Sequence, residues 1–446
     1  MNRNEAGAAA VVMRRLAGFT GWPLLSLVTP LVAMPIIARF VGDGWSGVVT
    51  AMSIGTFGSN LAIWGWSYAG PALVAQASET ERARLYTESV CSRLLMLVFV
   101  LPATMIVTLL LAPTSVRLPA VLVASAFTMG ALSPQWFCIG VGRPKLLGLY
   151  DTLPRVIATI ASVPIMLWTQ SMIAYPLLLI ATLLIALWLF PRRVITTPAP
   201  SSVTLRDAWR SIRSMASIAS ASIVGVAYSY APVPIATALL LSIDSSRFAS
   251  ADQLYRYALF AVTALGNALQ GWALEVEGPA GRRRHHAAIA LHAVLGLLGA
   301  AGIAFVGPWA TRVLFGAQVA AGPSLTAWYA VAFLFISAST PFLRNILVPN
   351  GRQKTVLLAT MTAAVLGIIV MVLAGLDNRA AGIAAGLALS EALIMAVTTL
   401  PALRVLSARY GSRMTPSGSP IHIDANLKEE GRPPHPLRKP PPSSRI

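Results

Sequence analysis

Long apolar runs, each closed by Pro, Gly or a knot of charge, follow one another through most of the chain. A bilayer is crossed by roughly 20 apolar residues in a helix at 1.5 Å rise each. Twelve windows meet that length: 18–41, 46–76, 90–112, 117–140, 155–170, 172–190, 215–242, 250–276, 287–311, 322–347, 355–375 and 380–402. The fifth and sixth are parted only by Thr169-Gln170-Ser171, a tight turn between short spans. The pattern predicts an all-α, polytopic integral membrane protein of about 12 transmembrane helices.

The longest connection between spans, 191–214, holds TTPAPSS and divides the windows six and six. Three features recur across it in order. Pro35-Ile36 in the first span is matched by Pro234-Ile235 in the seventh. Asn60, followed by Gly65-Trp66, is matched by Asn267, followed by Gly271-Trp272. Gly142-Arg143-Pro144-Lys145 after the fourth span is matched by Gly351-Arg352-Gln353-Lys354 after the tenth. Similar spacing at one offset argues for an internal repeat. Six spans per repeat keep both halves in the same orientation, so the expected architecture is two six-helix bundles related as parallel repeats, 18–190 and 215–402, an arrangement known among transporters. A short N-terminal segment, 1–17, precedes them. The polar, Pro-rich stretch 403–446 cannot bury a core and is expected to be a disordered basic tail.

Composition and charge sharpen this picture. The chain is 56% hydrophobic and 11% charged, with mean hydropathy +0.69, which excludes an ordinary soluble domain. A net charge of +18 would suggest nucleic acid in a soluble protein, but here it follows topology. Of the 34 Lys and Arg, only Arg117, Arg247, Arg312 and Arg379 fall on the turns of one side, and Arg39, Arg256 and Arg344 lie inside spans. The rest, among them Arg82, Arg84, Arg93, Arg143, Lys145 and Arg155, fall on the other side, which the positive-inside rule makes cytoplasmic along with both termini. Arg14-Arg15 faintly resembles an export signal, yet no small-residue cleavage site follows, so the first helix is expected to be retained. Cys91 and Cys138 sit in apolar spans and imply no disulfide framework.

The candidate chemistry lies in the polar residues that the spans retain. The eighth, ADQLYRYALFAVTALGNALQGWALEVE, carries Asp252, Tyr255 and Arg256 on one helical face, then Asn267, Gln270 and Glu275. A charge at the centre of a lipid-facing helix costs about 2.5–3.5 kcal/mol on insertion scales, so such residues should face protein or a wet cavity. Arg256 is read as part of a cationic binding face with Arg39 and Arg344, although its place near a span end also permits snorkelling to a headgroup. Arginine's planar fork suits phosphate oxygens. Glu391 in the middle of the last span, with Asp252 and Glu275, is a candidate for ion coupling, or else a hydrogen-bonded structural carboxyl. Pro30 and Pro35 in the first span and Pro232 and Pro234 in the seventh are candidate hinges. No P-loop, CxxC pair or HExxH occurs, and His285-His286 after Arg282-Arg283-Arg284 reads as a solvated basic turn. The expectation is therefore a non-enzyme without metal or cofactor.

PLLSLVTPLVAMPIIARFVGDGWSG, WFCIGVGRPKLLGLYDTLPR and FASADQLYRYALFAVTALGNALQGWALE resemble the bacterial polysaccharide flippases, which carry O-antigen or capsule repeat units. These belong to the multidrug/oligosaccharidyl-lipid/polysaccharide exporter superfamily, and the resemblance covers about residues 15–405. It implies a V-shaped pair of six-helix bundles around a central cationic cavity, in a bacterial plasma membrane. It also implies alternating access that takes an undecaprenyl-pyrophosphate-linked oligosaccharide from the inner to the outer leaflet. By position, Arg39, Arg256 and, less closely, Arg344 match that cavity, with Asn60, Tyr255, Asn267 and Gln270 beside them. The expected partners are this substrate, the bilayer and a polysaccharide polymerase or envelope-assembly protein that the Pro-rich tail would engage; nucleic acid is not expected. No thirteenth and fourteenth spans follow, so the lipid II flippase is resembled less well. A multidrug exporter of the same superfamily is the alternative, for which an acidic cavity would speak. A membrane glycosyltransferase would need paired acids on long outer loops, and a scaffold role has only the tail in its favour.

Overall fold

The computed structural model describes residues 21, 22, 25, 29–195, 203–276 and 278–410. The N-terminal 1–17, the TTPAPSS stretch and most of the 403–446 tail lie outside the described residues. Among the described residues every regular element is helical. The first half comprises α1 (29–41), α2 (Trp45–Ile63), α3 (Trp66–Gln76), α4 (Glu79–Leu111), α5 (Arg117–Met129), α6 (Gln135–Val141), α7 (Pro144–Leu147), α8 (Leu153–Thr169) and α9 (Ala174–Val194). The second comprises α10 (Leu205–Tyr230), α11 (Pro232–Leu239), α12 (Ser242–Leu274), α13 (Gly278–Ala301), α14 (Gly307–Phe315), α15 (Pro323–Pro341), α16 (Gln353–Leu376) and α17 (Ala380–Tyr410).

Among the described residues, 9 helical segments are long and apolar enough to cross a membrane. The difference from the twelve windows has two causes. The first two windows form one helical stretch, Thr29–Ile63, turned at Gly42, where φ of +57° uses glycine's freedom in the left-handed region. The helices over the seventh and eighth windows, α10 and α12, fall short of the apolar threshold because they hold the polar residues of interest. The fourth window is broken where Ser133 is extended ahead of Pro134, and the second where Trp64 and Gly65 both take positive φ. Glu79 and Glu81 form the exposed first turn of α4, capped by the Ser78 hydroxyl, which accepts from the Glu81 N–H at 3.4 Å. The Arg282–His286 run likewise opens α13, and His285 is buried rather than solvated.

The paired turns predicted from Gly142 and Gly351 are alike in detail. The glycines have φ of +71° and +73°. Gly142 N–H donates to Ile139 O and Arg143 N–H to Cys138 O; Gly351 N–H donates to Val348 O and Arg352 N–H to Leu347 O. This double bond pattern closes a helix on a left-handed residue, and its recurrence supports the repeat.

The two halves meet at the end that carries Asp43. Its carbonyl accepts from the Ser242 and Ser246 hydroxyls at 3.1 and 2.6 Å. Ser245 Oγ donates to Ser46 Oγ at 3.0 Å, the Thr50 and Thr237 hydroxyls lie 2.7 Å apart, and Trp45 stacks on Phe315 at 5.7 Å. One apolar core draws on both halves here, from Met34 and Trp45 to Phe248, Tyr329 and Met371. At the opposite end α2 and α10 remain in contact, with Trp64 Nε1 donating to Ile212 O at 2.7 Å. On the other side of the junction α12 is mostly buried from Ser245 to Tyr255, apart from exposed Arg247, and is exposed farther on at Thr263, Asn267, Gly271 and Trp272.

Candidate functional site

The long helix α12 has 33 residues, about 50 Å of axis at 1.5 Å per residue. It runs antiparallel to α1, since Asp43 meets Ser242 and Ser246 at one level and the Tyr257 hydroxyl donates to Pro30 O at 3.1 Å farther along. Positions can therefore be read as depths from the Asp43 level. Arg39 lies about 6 Å in, Arg256 about 18 Å and Asn267 about 35 Å. Arg39 donates through Nη2 to Val313 O. Arg344 donates through Nη2 to Asn267 Oδ1 at 2.6 Å, so it stands at the Asn267 level. The three arginines do not form a ring; they stand at three different depths.

Their electrostatic states differ. Arg256 Nε donates to Asp252 Oδ2 at 2.5 Å, with side chains 18% and 1% exposed. Its Nη2 donates to Ser229 O at 3.0 Å, and its guanidinium lies 4.3 Å from the Tyr230 ring centroid. The face expected to be cationic is thus neutralised in place. Asp252 also accepts from the Tyr329 hydroxyl at 3.1 Å, and the Tyr255 and Tyr329 rings pack at 5.2 Å. Glu391, buried on α17, accepts from the Tyr228 hydroxyl at 3.2 Å. A buried polar cluster therefore joins α10, α12, α15 and α17. Arg39 and Arg344, by contrast, have no carboxylate partner among the described residues. Arg344 is carried on a π-helical turn, Phe342–Leu347, and a Cβ at Gly266 would come within 2.9 Å of its Nη1; the glycine makes its seat.

Several expectations change position. Glu275 is not in this cluster: it is exposed and pairs with Arg284 Nη1 at 3.3 Å. Gln270 lies partly exposed on the polar stretch of α12. Pro232 opens α11 directly after α10 ends, so the chain is interrupted there, and Pro234 follows within α11. Pro30 and Pro35 lie inside the unbroken helix α1. Asn60 is apart from the arginines; its Nδ2 donates to Thr56 O at 2.9 Å, and it lines a separate cavity of about 510 Å³ within the first half.

That cavity was not legible as a site. It is bordered by α2, by the break between α5 and α6, by the turn before α8 and by α9. Asp151 accepts from Ser133 Oγ at 2.5 Å and from Arg155 Nη2 at 2.7 Å. Behind it Arg93, expected on the solvated side, is 0% exposed. Its guanidinium holds the carbonyls of Ser89, Ala131 and Ser133 at 3.0, 2.8 and 3.0 Å, which fixes the helix break. The i, i+4 spacing of Asp151 and Arg155 was a usable signal; Tyr228 and Tyr329 gave none, because only packing brings them to the carboxyls.

No protein-family model matches the sequence, and no curated protein matches it either. Solved structures do share the fold. An inward-facing multidrug resistance MATE family transporter of the MOP superfamily aligns at 13% identity and TM-score 0.60, over 85% of this chain and 95% of that one. The lipid II flippase MurJ in an inward closed conformation aligns at 12% identity and TM-score 0.68, over 86% and 87%. A eukaryotic MATE transporter aligns at 14% identity and TM-score 0.56, over 88% and 95%. At such identities the likeness establishes the fold alone.

Proposed function

We propose that the protein is a flippase that moves an undecaprenyl-pyrophosphate-linked oligosaccharide from the inner to the outer leaflet of a bacterial plasma membrane by alternating access, for cell-surface polysaccharide synthesis. The observation that carries this reading is the placing of Arg39 on α1, Arg256 on α12 and Arg344 on the turn after α15 at three successive depths. A pyrophosphate crossing a bilayer needs cationic partners at successive depths, because an unpaired charge in a low-dielectric medium is costly. Arg344, with only a neutral amide as partner, is suited to receive the anion on the side that the Lys and Arg pattern makes cytoplasmic. Arg256 takes it next only by exchanging Asp252 for phosphate, and Arg39 lies nearest the far exit.

Closure at the Asp43 end with exposure of α12 beyond Thr263 supports an inward-open resting state, with Pro232 as one hinge. Asp252 and Glu391 remain the candidates for ion coupling, since a cation taken up by Asp252 would release Arg256 for phosphate. Glu275, exposed and paired with Arg284, has a weaker claim. Lipid, the lipid-linked substrate and an envelope-assembly or polymerase partner are the expected company.

A second reading, a multidrug exporter, is favoured by the MATE likeness and by these two buried carboxyls. Reconstitution separates the two. Liposomes carrying a fluorescent undecaprenyl-pyrophosphate oligosaccharide and an impermeant quencher should show protein-dependent loss of the protected signal, slowed strongly by Arg344→Ala. No movement of that lipid with efflux of organic cations from parallel vesicles would favour the exporter instead.

A further inference from the structure

The cavity within the first half is not lined by Arg39, Arg256 or Arg344, yet it has the size of a small-molecule site, about 510 Å³ against the usual 300–1,000 Å³. Its charges cancel locally: Asp151 is engaged by Arg155 and by the Ser133 hydroxyl. A phosphate would find no unpaired cation there, and an organic cation no unpaired carboxylate. Neutral hydrogen-bonding groups remain. The Asn60 and Gln135 amides line it with the Ser59 hydroxyl, and Trp136, on the same wall, has a buried indole N–H without a partner. Phe127 and Leu179 supply apolar surface. Its wall is apolar in the majority, with polar groups set among the apolar surface.

A ligand with hydroxyl groups on its rim and C–H bonds on its faces meets both kinds of surface. Resting on the flippase reading above, we infer that this cavity is the carbohydrate subsite, holding one or two sugar rings of the lipid-linked substrate while Arg344 and Arg256 hold its pyrophosphate. Asn60 is the link between the two, because it sits on α2, the helix that also meets α10, α11 and α12 across the junction of the halves. A glycan seated there and a pyrophosphate on α12 would bridge the seam that alternating access opens and closes.

The test uses the purified full-length protein with two kinds of probe: farnesyl pyrophosphate, and farnesyl pyrophosphate bearing short oligosaccharides of N-acetylglucosamine, glucose, galactose or mannose. At least one glycan should tighten binding by about 10-fold, equivalent to about 1.4 kcal/mol. Gln135→Leu and Asn60→Leu should each abolish most of that gain and leave the bare probe's affinity unchanged, whereas Arg344→Ala should weaken both probes alike. Absence of gain with every glycan, or a gain that both variants keep, overturns the subsite. Failure of the wild-type protein to bind farnesyl pyrophosphate at all would instead overturn the flippase reading, and ethidium binding lost in Gln135→Leu would assign the cavity to cationic drugs.

Discussion

Removing the Asp252 carboxylate should destabilise the protein far more than removing the whole Asp252–Arg256 pair. Asp252 is 1% exposed and Arg256 18% at the side chain. In Asp252→Ala the guanidinium keeps Ser229 O and the Tyr230 ring but loses its counter-charge. Breaking such a buried pair typically costs about 3–5 kcal/mol, and stranding the Tyr329 hydroxyl that also donates to Asp252 adds about 1–3 kcal/mol. Asp252→Ala combined with Arg256→Met removes both charges and keeps the long apolar stem, so the double variant should recover about 2–4 kcal/mol of that loss. Thermal unfolding in detergent reads the cycle: the single variant melts several degrees below wild type and the double variant lies between them. A double variant that melts as low as the sum of its parts would show that Arg256 does not depend on Asp252. The neutralised face described above would then be wrong.

Other consequences are checkable in the same preparations. Gly266→Leu should displace Arg344 from Asn267 and slow translocation as strongly as Arg344→Ala, with little change in melting temperature. Gly351→Ala, where open space surrounds the Cβ position and φ is +73°, should cost about 1–2 kcal/mol from backbone strain alone. Gly142→Ala should match it within error if the two turns are equivalent. Thr204→Ala removes the hydroxyl that accepts from Asp207 N–H at 3.3 Å and should cost about 1 kcal/mol. The Thr204 hydroxyl and N–H hold the Asp207 carboxyl below its usual range. Its charged form is therefore favoured by the fold, and this part of the cap should persist at neutral pH and fade only as pH falls through the lowered value.

Much of this architecture could be read from the chain because a bilayer enforces it. Apolar runs of about 20 residues have few structures open to them, and the Gly142 and Gly351 turns carry their own conformational signature. The breaks were harder. Trp64-Gly65 and Ser133-Pro134 interrupt windows whose hydropathy is continuous, so only local backbone preference marks them. The candidate residues divide along the same line. Asp252 and Arg256 pair because their i, i+4 spacing on one helix dictates it, whereas their neutrality could not be inferred without knowing that both are buried together. Arg93 was counted with the cytoplasmic charges, near the start of the third window, yet it stitches a helix break whose partners lie about forty residues away. Tyr228 against Glu391 and Tyr329 against Asp252 are contacts between helices, and no period along one helix records them.

The measurement that bears most directly on alternating access uses the Asp43 end as a lock. Ser46 Oγ and Ser245 Oγ lie 3.0 Å apart across the two halves. In a protein with Cys91 and Cys138 replaced by Ala, Ser46→Cys with Ser245→Cys should form a disulfide under mild oxidation and hold that end closed. Translocation of the fluorescent undecaprenyl-pyrophosphate oligosaccharide should then stop and return on reduction. Undiminished movement by the fully cross-linked protein would show that the Asp43 end need not open, and would contradict the account.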